Sequence, residues 1–364
     1  MINVIKKGAT FSYFTYIGDF QGCGYIRVLI PSMLVNQTRL DGYKVRSSYH
    51  DHFINDMGFY KKLSFVQFQR AYTNQHYNLL KHFKVNVMKI TKTPLIYEID
   101  DMLIGIPEWN YAASFYNKYE DNIKKILGIV RGVTCSTEKL KGIYSEYNNN
   151  ITVIPNHLAK FIWGEIDRKE QRDKKPRIMY AGSQNHFCTE KLSKEGKSGG
   201  DFGPELIDFI RKTTDKYQWV FVGGNPMEIN DLIESGKIEY HGWQSILSLP
   251  QFLKSLNVDI GLAPLMVNVF NEGKSNIKAL EYAALGIPGI YTNIEPYKDM
   301  MFTCDTDGDM IDRIESLASD ISVRNKVYDH DYNVVKEQLF WEEHDNIKKY
   351  VNSYLGLFNK KMED

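Results

Sequence analysis

The most informative part of the sequence is Gly273-Lys-Ser-Asn-Ile-Lys-Ala-Leu-Glu-Tyr-Ala-Ala-Leu-Gly-Ile-Pro288. Its glycine permits a tight turn, and either Ser275 or Asn276 can cap the helix that follows. Lys274 and Lys278 add positive charge beside helix amides that point outward. This combination is typical of a phosphate-binding site. The alternative is an ordinary capped core helix that carries surface lysines.

An acid follows on the same helix. Glu281 lies three residues after Lys278, on a neighbouring helical face, where its carboxylate can accept hydrogen bonds from sugar hydroxyls. Gly286 and Pro288 end the helix, and Gly289–Thr292 is predicted to be the next strand. A phosphate site beside a carboxylate suited to a vicinal diol predicts a nucleotide ligand.

Composition limits the class of protein. The chain has 364 residues, of which 43% are hydrophobic and 25% charged, a length that fits two domains better than one. The four cysteines lack the spacing of a zinc site or a disulfide framework, which favours a reducing cytosol. The N-terminus lacks the apolar stretch of a signal peptide, and no run of about eighteen apolar residues occurs. We therefore expect a cytoplasmic protein without a transmembrane segment.

The net charge of zero hides an uneven distribution. Residues 1–160 contain 20 Lys and Arg against 12 Asp and Glu, whereas residues 161–364 contain 25 against 33. Residues 1–95 are the most basic part, with 13 against 4. Their basic side chains (Arg39, Lys44, Arg46, Lys61, Lys62, Arg70, Lys81, Lys84) alternate with aromatic ones (Tyr43, Tyr49, Phe53, Phe59, Tyr60, Phe68, Tyr72, Tyr77, Phe83). Such a surface suits an anionic polymer or lipid headgroups. The alternative is that the aromatic residues are core and the lysines a solvated face.

Short apolar runs alternate with amphipathic stretches. The predicted strands are 63–68, 95–99, 132–135, 151–154, 177–181, 219–222, 238–240, 259–262 and 289–292, and helical patterns cover 112–129 and 137–147. This alternation predicts an α/β fold of two Rossmann-like domains facing a central cleft, spanning about 1–160 and 170–330, with a polar connector at 165–175. A C-terminal helix at about 332–358 is expected to pack back across the domains. The glycine-containing segment 187–200 is predicted to be a mobile lid.

Two loops of the first domain carry candidate site residues. Gly22 and Gly24 let the backbone approach a ligand, and Arg27 begins the following helix, although a glycine turn is common in such folds. Asp100 and Asp101 end an apolar strand, where two buried carboxylates need a ligand, a cation or hydroxyls. Since no His or third acid accompanies them at metal-ligand spacing, we favour hydroxyl contacts over a divalent ion.

Two loops of the second domain add further candidates. Gly182 and Ser183 follow its first strand and can present amides to a phosphate, and His186 can donate to the same group, unless it is an ordinary surface histidine. Gly242 and Trp243 offer main-chain groups and an aromatic ring for a nucleobase, although a Trp at a strand end is usually core.

With these motifs placed, nearly the whole chain resembles the GT-B glycosyltransferases, in particular bacterial and phage members of the retaining, glycogen-synthase-like group. The likeness rests on Gly182-Ser183, Val222-Gly223, 259–265, Phe270-Asn271, 274–288, 133–137 and 153–156. It implies that Glu281 holds the donor ribose and that the loops of Gly182, Ser183, Lys274 and Ser275 hold the diphosphate. The sequence departs from the family in one position, because the usual second acid would be Gly273 and the acid is Glu272.

The resemblance implies sugar transfer with retention from a nucleotide sugar, a UDP-sugar being favoured, without a metal or another cofactor. The donor-binding set is Gly22, Gly24, Gly182, Ser183, Gly242, Ser275, Asn276, Lys278 and Glu281, and the catalytic candidates are Asp100, Asp101, His186 and Lys274. Asp100 and Asp101 fall where many relatives place a His-Asp pair beside the transferred sugar.

The acceptor is predicted from charge. The basic first domain, on a chain whose composition resembles that of phage proteins, favours 5-hydroxymethylcytosine in phage DNA as acceptor, in the host cytoplasm. The alternative is a bacterial enzyme acting on a lipid-linked or cell-surface polysaccharide at an anionic membrane. A binding protein without catalysis is a third hypothesis, but it does not require the phosphate loop and Glu281.

Overall fold

Two parallel β-sheets form the framework of the protein. The computed structural model describes residues 10–38, 40, 44–166 and 175–359. Within these residues each sheet has six strands, and every neighbouring pair of strands is parallel. Parallel neighbours need crossover connections, which helices commonly supply. The predicted α/β class with two Rossmann-like sheets is confirmed.

The strands of the first sheet are β1 Thr10–Tyr16, β2 Lys44–His50, β3 Phe65–Gln69, β4 Leu95–Ile99, β5 Gly132–Cys135 and β6 Ile151–Val153. Those of the second are β7 Arg177–Gly182, β8 Gln218–Gly223, β9 Glu239–His241, β10 Ile260–Ala263, β11 Gly289–Thr292 and β12 Thr303–Cys304. The orders are β2-β1-β3-β4-β5-β6 and β12-β11-β10-β7-β8-β9. The direction of winding therefore reverses between β1 and β3 in one sheet and between β7 and β10 in the other. Ligands of such folds bind beyond the carboxyl ends of the strands at these switch points.

The helices between β1 and β7 are α1 Gly22–Gly24, α2 Ile30–Gln37, α3 Met57–Tyr60, α4 Asn74–His82, α5 Met88–Thr91, α6 Ala113–Tyr116, α7 Glu120–Ile129, α8 Glu138–Tyr144 and α9 Lys160–Trp163. After β7 follow α10 Glu190–Lys194, α11 Pro204–Lys212, α12 Asn230–Glu234, α13 Leu249–Ser255, α14 Val269–Glu272, α15 Ile277–Leu285, α16 Asp307–Ser319, α17 Ile321–Leu339 and α18 Asn346–Asn359. Two π-helical segments, Tyr25–Leu29 and Phe83–Val87, join α1 to α2 and α4 to α5. Short 3₁₀ turns are Asn117–Tyr119, Gln184–His186, Met227–Ile229 and Glu295–Tyr297.

All nine predicted strands are present. β4, β5 and β11 have the predicted bounds, and the other predicted strands differ at their ends by one or two residues. The prediction omitted β1, β2 and β12. β2 is an edge strand in which two alternate residues are buried and the others exposed, so it has no continuous apolar run. β12 is only two residues long.

The predicted helices are interrupted. The pattern at 112–129 contains α6 and α7, separated by a 3₁₀ turn. The C-terminal pattern begins earlier than predicted, at Ile321, and breaks between α17 and α18, where His344 and Asp345 have positive φ angles of 50° and 58°. A break with two left-handed residues redirects the chain from one sheet to the other.

The C-terminal helices pack on both halves of the protein. Tyr328 of α17 donates to the carbonyl of Ala283 in α15, on the second sheet. Tyr354 of α18 stacks on Tyr13 and Phe65 of the first sheet, with ring centroids 5.7 and 4.9 Å apart. The prediction that this segment packs back across the domains is therefore confirmed.

The basic segment of the first half is only partly an aromatic surface. Lys44, Arg46, Lys61, Lys62, Lys81 and Lys84 are exposed, but Tyr60, Phe68 and Phe83 are buried in the core. Arg70 is also mostly buried, so its assignment to the surface is wrong. Arg39, Tyr43 and residues 167–174 of the predicted connector lie outside the described residues.

Candidate functional site

A cavity of about 390 Å³ lies between the carboxyl ends of the two sheets. Its lining includes Gly22, Arg70, Asp100, Asp101 and Tyr116 from the first half, and Gly182, Ser183, His186, Trp243, Lys274, Ser275, Lys278 and Glu281 from the second. The loops that follow β3, β7 and β10 all reach it, so it occupies the switch points of both sheets. Its volume suits a ligand of the size of a nucleotide.

The loop before α15 differs in detail from its prediction. Gly273 has an ordinary right-handed conformation, and a Cβ atom there would lie 3.0 Å from Cδ2 of Leu140 across the cleft. The predicted turn is present at Gly273, but its conformation is open to any residue, and close packing against the first half accounts for the glycine. Asn276 occupies the N-cap position of α15, but neither Asn276 nor Ser275 makes the predicted side-chain capping bond. Ser275 Oγ accepts from Asn156 Nδ2 at 2.8 Å, and the side chain of Asn276 bonds to Gln338.

These contacts leave the start of α15 without a side-chain cap among the described residues. The first-turn amides of a helix need partners, and an anion is one that suits their partial positive charge. Lys274 extends beside this terminus with Nζ 4.7 Å from the centre of the Phe270 ring. Lys274, Ser275 and Lys278 all line the cavity, so the terminus is accessible to a ligand there.

Glu281 and Lys278 are in direct contact. Their Oε2 and Nζ atoms lie 2.6 Å apart, and the carboxylate is almost fully buried. The predicted spacing of three residues on one helix brings the two side chains together as an ion pair. The other oxygen of the Glu281 carboxylate remains for a second donor.

His186 forms a buried pair with Asp201, a residue that the sequence analysis missed. Nδ1 of His186 lies 2.6 Å from Oδ2 of Asp201. The other oxygen of Asp201 accepts from the amide of Met266 at 2.8 Å and from Asn271 Nδ2 at 2.7 Å. Because three donors hold this carboxylate, it orients the imidazole, whose Nε2 remains for a ligand in the cavity.

Burial lowers the pKa of His186, and the hydrogen bond to Asp201 opposes this effect only in part. Neutral His186 carries its proton on Nδ1, toward the carboxylate, which leaves a lone pair on Nε2. Its predicted role as a donor to phosphate therefore requires the protonated imidazole.

Gly182 and Ser183 approach the cavity at the end of β7. A Cβ atom on Gly182 would lie 2.3 Å from the hydroxyl oxygen of Tyr180, so a larger residue does not fit without movement. Ser183 precedes the 3₁₀ turn that carries His186. Both residues line the cavity, as a phosphate-binding loop requires.

Asp100 and Asp101 have a cationic partner within the chain. Nε of Arg70 lies 2.5 Å from Oδ1 of Asp100, and Nη2 lies 3.8 Å from Oδ2 of Asp101. Burial alone raises the pKa of Asp100, but Arg70 and Arg27 outweigh it, and the resulting pKa is below the ordinary value. Of the partners expected for these carboxylates, a ligand, a cation or hydroxyls, the chain itself supplies a cation, Arg70, 30 residues upstream of Asp100. The favoured contacts with hydroxyl groups stay a prediction.

A second buried ion pair lies behind the first. Nε of Arg27 lies 2.7 Å from Oε1 of Glu98, and the same guanidinium donates to the carbonyl of Ile154 and to Asn156. Burial raises the pKa of Glu98. The predicted place of Arg27 at the start of a helix is wrong, because it lies inside the π-helical segment, and its contacts are structural.

The predicted glycines serve different purposes. Gly22 lines the cavity with open space where a Cβ would be. A Cβ on Gly24 would lie 1.8 Å from the carbonyl oxygen of Asp19, so that glycine is needed by its own turn and not by a ligand. Gly242 lies next to the lining, whereas Trp243 belongs to it and is 63% exposed. The alternative that Trp243 is core is therefore wrong.

The segment predicted as a lid is folded against the first half. It contains α10, and Phe187 pairs with Gly200 in an antiparallel bridge. Trp109 of the first half packs in one buried cluster with Cys188 and Leu192. The insertion thus connects the two halves at one side of the cavity.

Further contacts join the halves near α15. Thr137 Oγ1 donates to the carbonyl of Gly273 at 3.1 Å. Glu272, the acid displaced from its family position, forms an ion pair with Lys139 across the cleft. Glu272 is therefore engaged by the first half and is absent from the cavity lining.

The described residues contain one group with the geometry of a metal site, His50, Asp51 and His52, which is exposed at the end of β2 and outside the cavity lining. The expectation that no metal takes part stays a prediction. Among the described residues, no helix combines the length and the apolar character needed to cross a bilayer.

No protein-family model matches the chain, and no curated protein matches it. Solved structures that are similar to the chain include two that align over most of it. MurG of Acinetobacter baumannii is 10% identical, with 94% of this chain and 98% of that one covered and a TM-score of 0.43. The glycotransferase of kitacinnamycin is 11% identical, with 96% and 99% covered and the same TM-score. At this degree of similarity, neither likeness bears on what the chain binds or does.

Proposed function

We propose that the chain is a glycosyltransferase that moves a sugar from a nucleoside diphosphate sugar, a UDP-sugar being favoured, to a hydroxyl acceptor. The observation that carries the proposal is the uncapped start of α15, with Lys274 and Lys278, in the same cavity as the Arg70–Asp100 pair. One side of the cavity suits an anion, and the other offers carboxylates to hydroxyl groups.

The second half is suited to the donor. The amides of α15, Lys274 and protonated His186 are partners for the diphosphate. A diphosphate competes with Glu281 for Lys278, and the carboxylate then turns to the ribose hydroxyls. Trp243 offers an exposed ring on which a nucleobase can stack.

The same groups serve the chemical step. Negative charge grows on the leaving diphosphate as the bond to the sugar breaks, and fixed amides and cations stabilise that charge. Transfer with retention and independence of a metal are part of the proposal. Analysis of the anomeric configuration of the product by NMR tests the first, and activity in the presence of a chelator tests the second.

The first half is suited to the acceptor. Asp100 is held by Arg70, whereas Asp101 is farther from that cation and more exposed. Asp101 is therefore the carboxylate with room to accept a hydrogen bond from the incoming hydroxyl. Its position lowers the entropic cost of bringing acceptor and donor together.

Two acceptors are candidates, because the first half carries exposed lysines, which suit an anionic partner. One is 5-hydroxymethylcytosine in DNA, and the other is a lipid-linked or cell-surface glycan. Transfer to hydroxymethylated but not to plain cytosine duplex supports the first. Transfer to a polyprenyl-linked glycan supports the second.

The donor assignment is tested with a panel of UDP-, GDP- and ADP-sugars, by measuring nucleotide release and acceptor mass. We expect Lys274→Ala to lower kcat/KM about a hundredfold or more, as loss of a group that stabilises developing charge does. Lys212→Ala is the matched control, since this exposed lysine pairs with Asp208 on α11 and neither residue lines the cavity. Equal turnover by Lys274→Ala and the control contradicts the proposal.

A further inference from the structure

A helical run in the first half carries exposed lysines and exposed aliphatic side chains together. It comprises α4, the π-helical segment Phe83–Val87 and α5. Leu80, Phe83 and Val87 hold its inner side in the core. On its outer side, Val85 is 55% and Ile90 57% exposed.

The lysines of this region lie in a stretch of sequence without acidic residues. The sequence contains no Asp or Glu between Asp56 and Glu98. Lys81, Lys84 and Lys89 are exposed on the run, and Lys92 follows it. Within the part of the chain that the structure describes, none of them forms an ion pair, in contrast to Lys124, Lys141 and Lys160 further along.

Two more lysines belong to the same surface. Thr93 Oγ1 donates to the carbonyl of Tyr60 at 2.7 Å, and the rings of Tyr60 and Phe83 pack edge to face. These contacts place Lys61 and Lys62, which follow Tyr60, beside the end of the run. The lysine face is defined here as Lys61, Lys62, Lys81, Lys84, Lys89 and Lys92 with Val85 and Ile90.

We propose that the lysine face docks the protein on an anionic lipid bilayer. Lysines gain from the negative headgroups, and the aliphatic side chains between them gain by entering the boundary of the acyl region. A nucleic acid also attracts the lysines, but it leaves Val85 and Ile90 in water. Binding to a bilayer therefore uses both features of the surface.

The lysine face has a defined position relative to the cavity. The run begins at Thr73, and the ring of the preceding Tyr72 lies 4.6 Å from that of Tyr116, which lines the cavity. The lysines of the face stand at the other end of the run and just before β3, near the amino ends of β3 and β4, whereas the cavity lies at the carboxyl ends of the strands. Docking on a bilayer through this face therefore leaves the cavity open. The inference goes beyond the proposed function and does not rest on it, because docking is measured without sugar transfer.

The test is sedimentation of the whole protein with vesicles of phosphatidylcholine alone or of phosphatidylcholine and phosphatidylglycerol in roughly equal parts, at about 0.1 M salt. We expect binding to the anionic vesicles only. Lys84→Ala and Lys89→Ala are each expected to weaken it roughly fivefold, the effect of one charge at an anionic surface. Val85→Ser with Ile90→Ser is expected to weaken it roughly tenfold.

Matched controls lie on α17, where Lys326, Lys336 and Val334 are also exposed. Lys326→Ala, Lys336→Ala and Val334→Ser should leave vesicle binding unchanged, and thermal unfolding should show that all variants are folded. Failure to bind anionic vesicles overturns the proposal. The proposal is also overturned if the variant with both Val85→Ser and Ile90→Ser binds anionic vesicles as tightly as the native chain and duplex DNA displaces both proteins from the vesicles equally well. That result shows that the face binds nucleic acid.

Discussion

Nδ1 of His186 lies 2.6 Å from Oδ2 of Asp201, and the second oxygen of this carboxylate is held by Met266 and Asn271. Asp201 therefore determines both the orientation of the imidazole and the nitrogen that carries its proton. The cavity receives Nε2, which accepts a hydrogen bond when His186 is neutral and donates one when it is protonated.

This pair predicts a pH dependence of nucleotide binding. Burial lowers the pKa of His186 and Asp201 partly restores it, so Asp201→Asn should lower that pKa further. Because a diphosphate binds the protonated imidazole better, UDP affinity should fall as pH rises through the pKa. In Asp201→Asn this fall should occur at lower pH.

Calorimetric titration with UDP across the acidic pH range measures the effect. Asp231→Asn is the control, because this exposed carboxylate pairs with Arg211 far from the cavity. An unchanged midpoint in Asp201→Asn rejects the assigned role of the pair.

Trp243→Ala should weaken nucleotide binding without destabilising the fold. Stacking of a base on an aromatic ring contributes about 1–3 kcal/mol, so we expect UDP affinity to fall by a factor of about 5 to about 150. The side chain is largely exposed, and its removal leaves no cavity in the core. Leu247→Ala, also exposed, is the control. Equal affinity in both variants would show that the base binds elsewhere.

Arg70→Ala should destabilise the protein strongly. It leaves buried Asp100 without its main cationic partner, and removal of one member of a buried pair costs about 3–5 kcal/mol. Arg70→Ala combined with Asp100→Asn should recover part of this loss. Urea unfolding measures the free energy of unfolding of both variants. Arg211→Ala is the control, because it breaks an exposed pair and should change this free energy by about 1 kcal/mol or less. A loss as small as that of Arg211→Ala would contradict the buried-pair assignment.

His157 predicts how stability depends on pH. Its Nδ1 lies 2.5 Å from the carbonyl oxygen of Gln338, its ring packs on Trp341, and burial lowers its pKa to about 4. In the unfolded chain the pKa of His157 is about 6.5. Between about pH 4 and this value, the imidazole therefore binds a proton in the unfolded chain but not in the folded one. Stability should therefore fall as the pH drops from about 6.5 to about 4, by about 3 kcal/mol in total.

The measurement is the free energy of unfolding at several pH values in this window. His157→Gln removes the titrating group, so its stability should vary less with pH than that of the native chain. His52→Gln serves as control, because His52 is exposed. Parallel pH curves for the native chain and His157→Gln would exclude the effect.

Several local features were predictable. Fully buried parallel strands are continuous apolar runs, and β4, β5 and β11 were therefore found with their bounds. The edge strand β2 was missed, because a half-exposed strand shares its composition with loops. The lysines and the acid around α15 were also predicted as a group, since a helix brings near neighbours in the sequence onto one surface.

The sequence by itself determined the α/β class, the position of the loop before α15 and the opposite charge of the two halves, because each depends on local pattern or composition. Only the tertiary structure decided which groups meet. Arg70 with Asp100, Asp201 with His186, and Lys139 with Glu272 are pairs that the sheet order and the docking of the halves bring together. The energy of such a pair depends on the distance and burial of its charges, and residues far apart in the chain acquire both only in the folded protein.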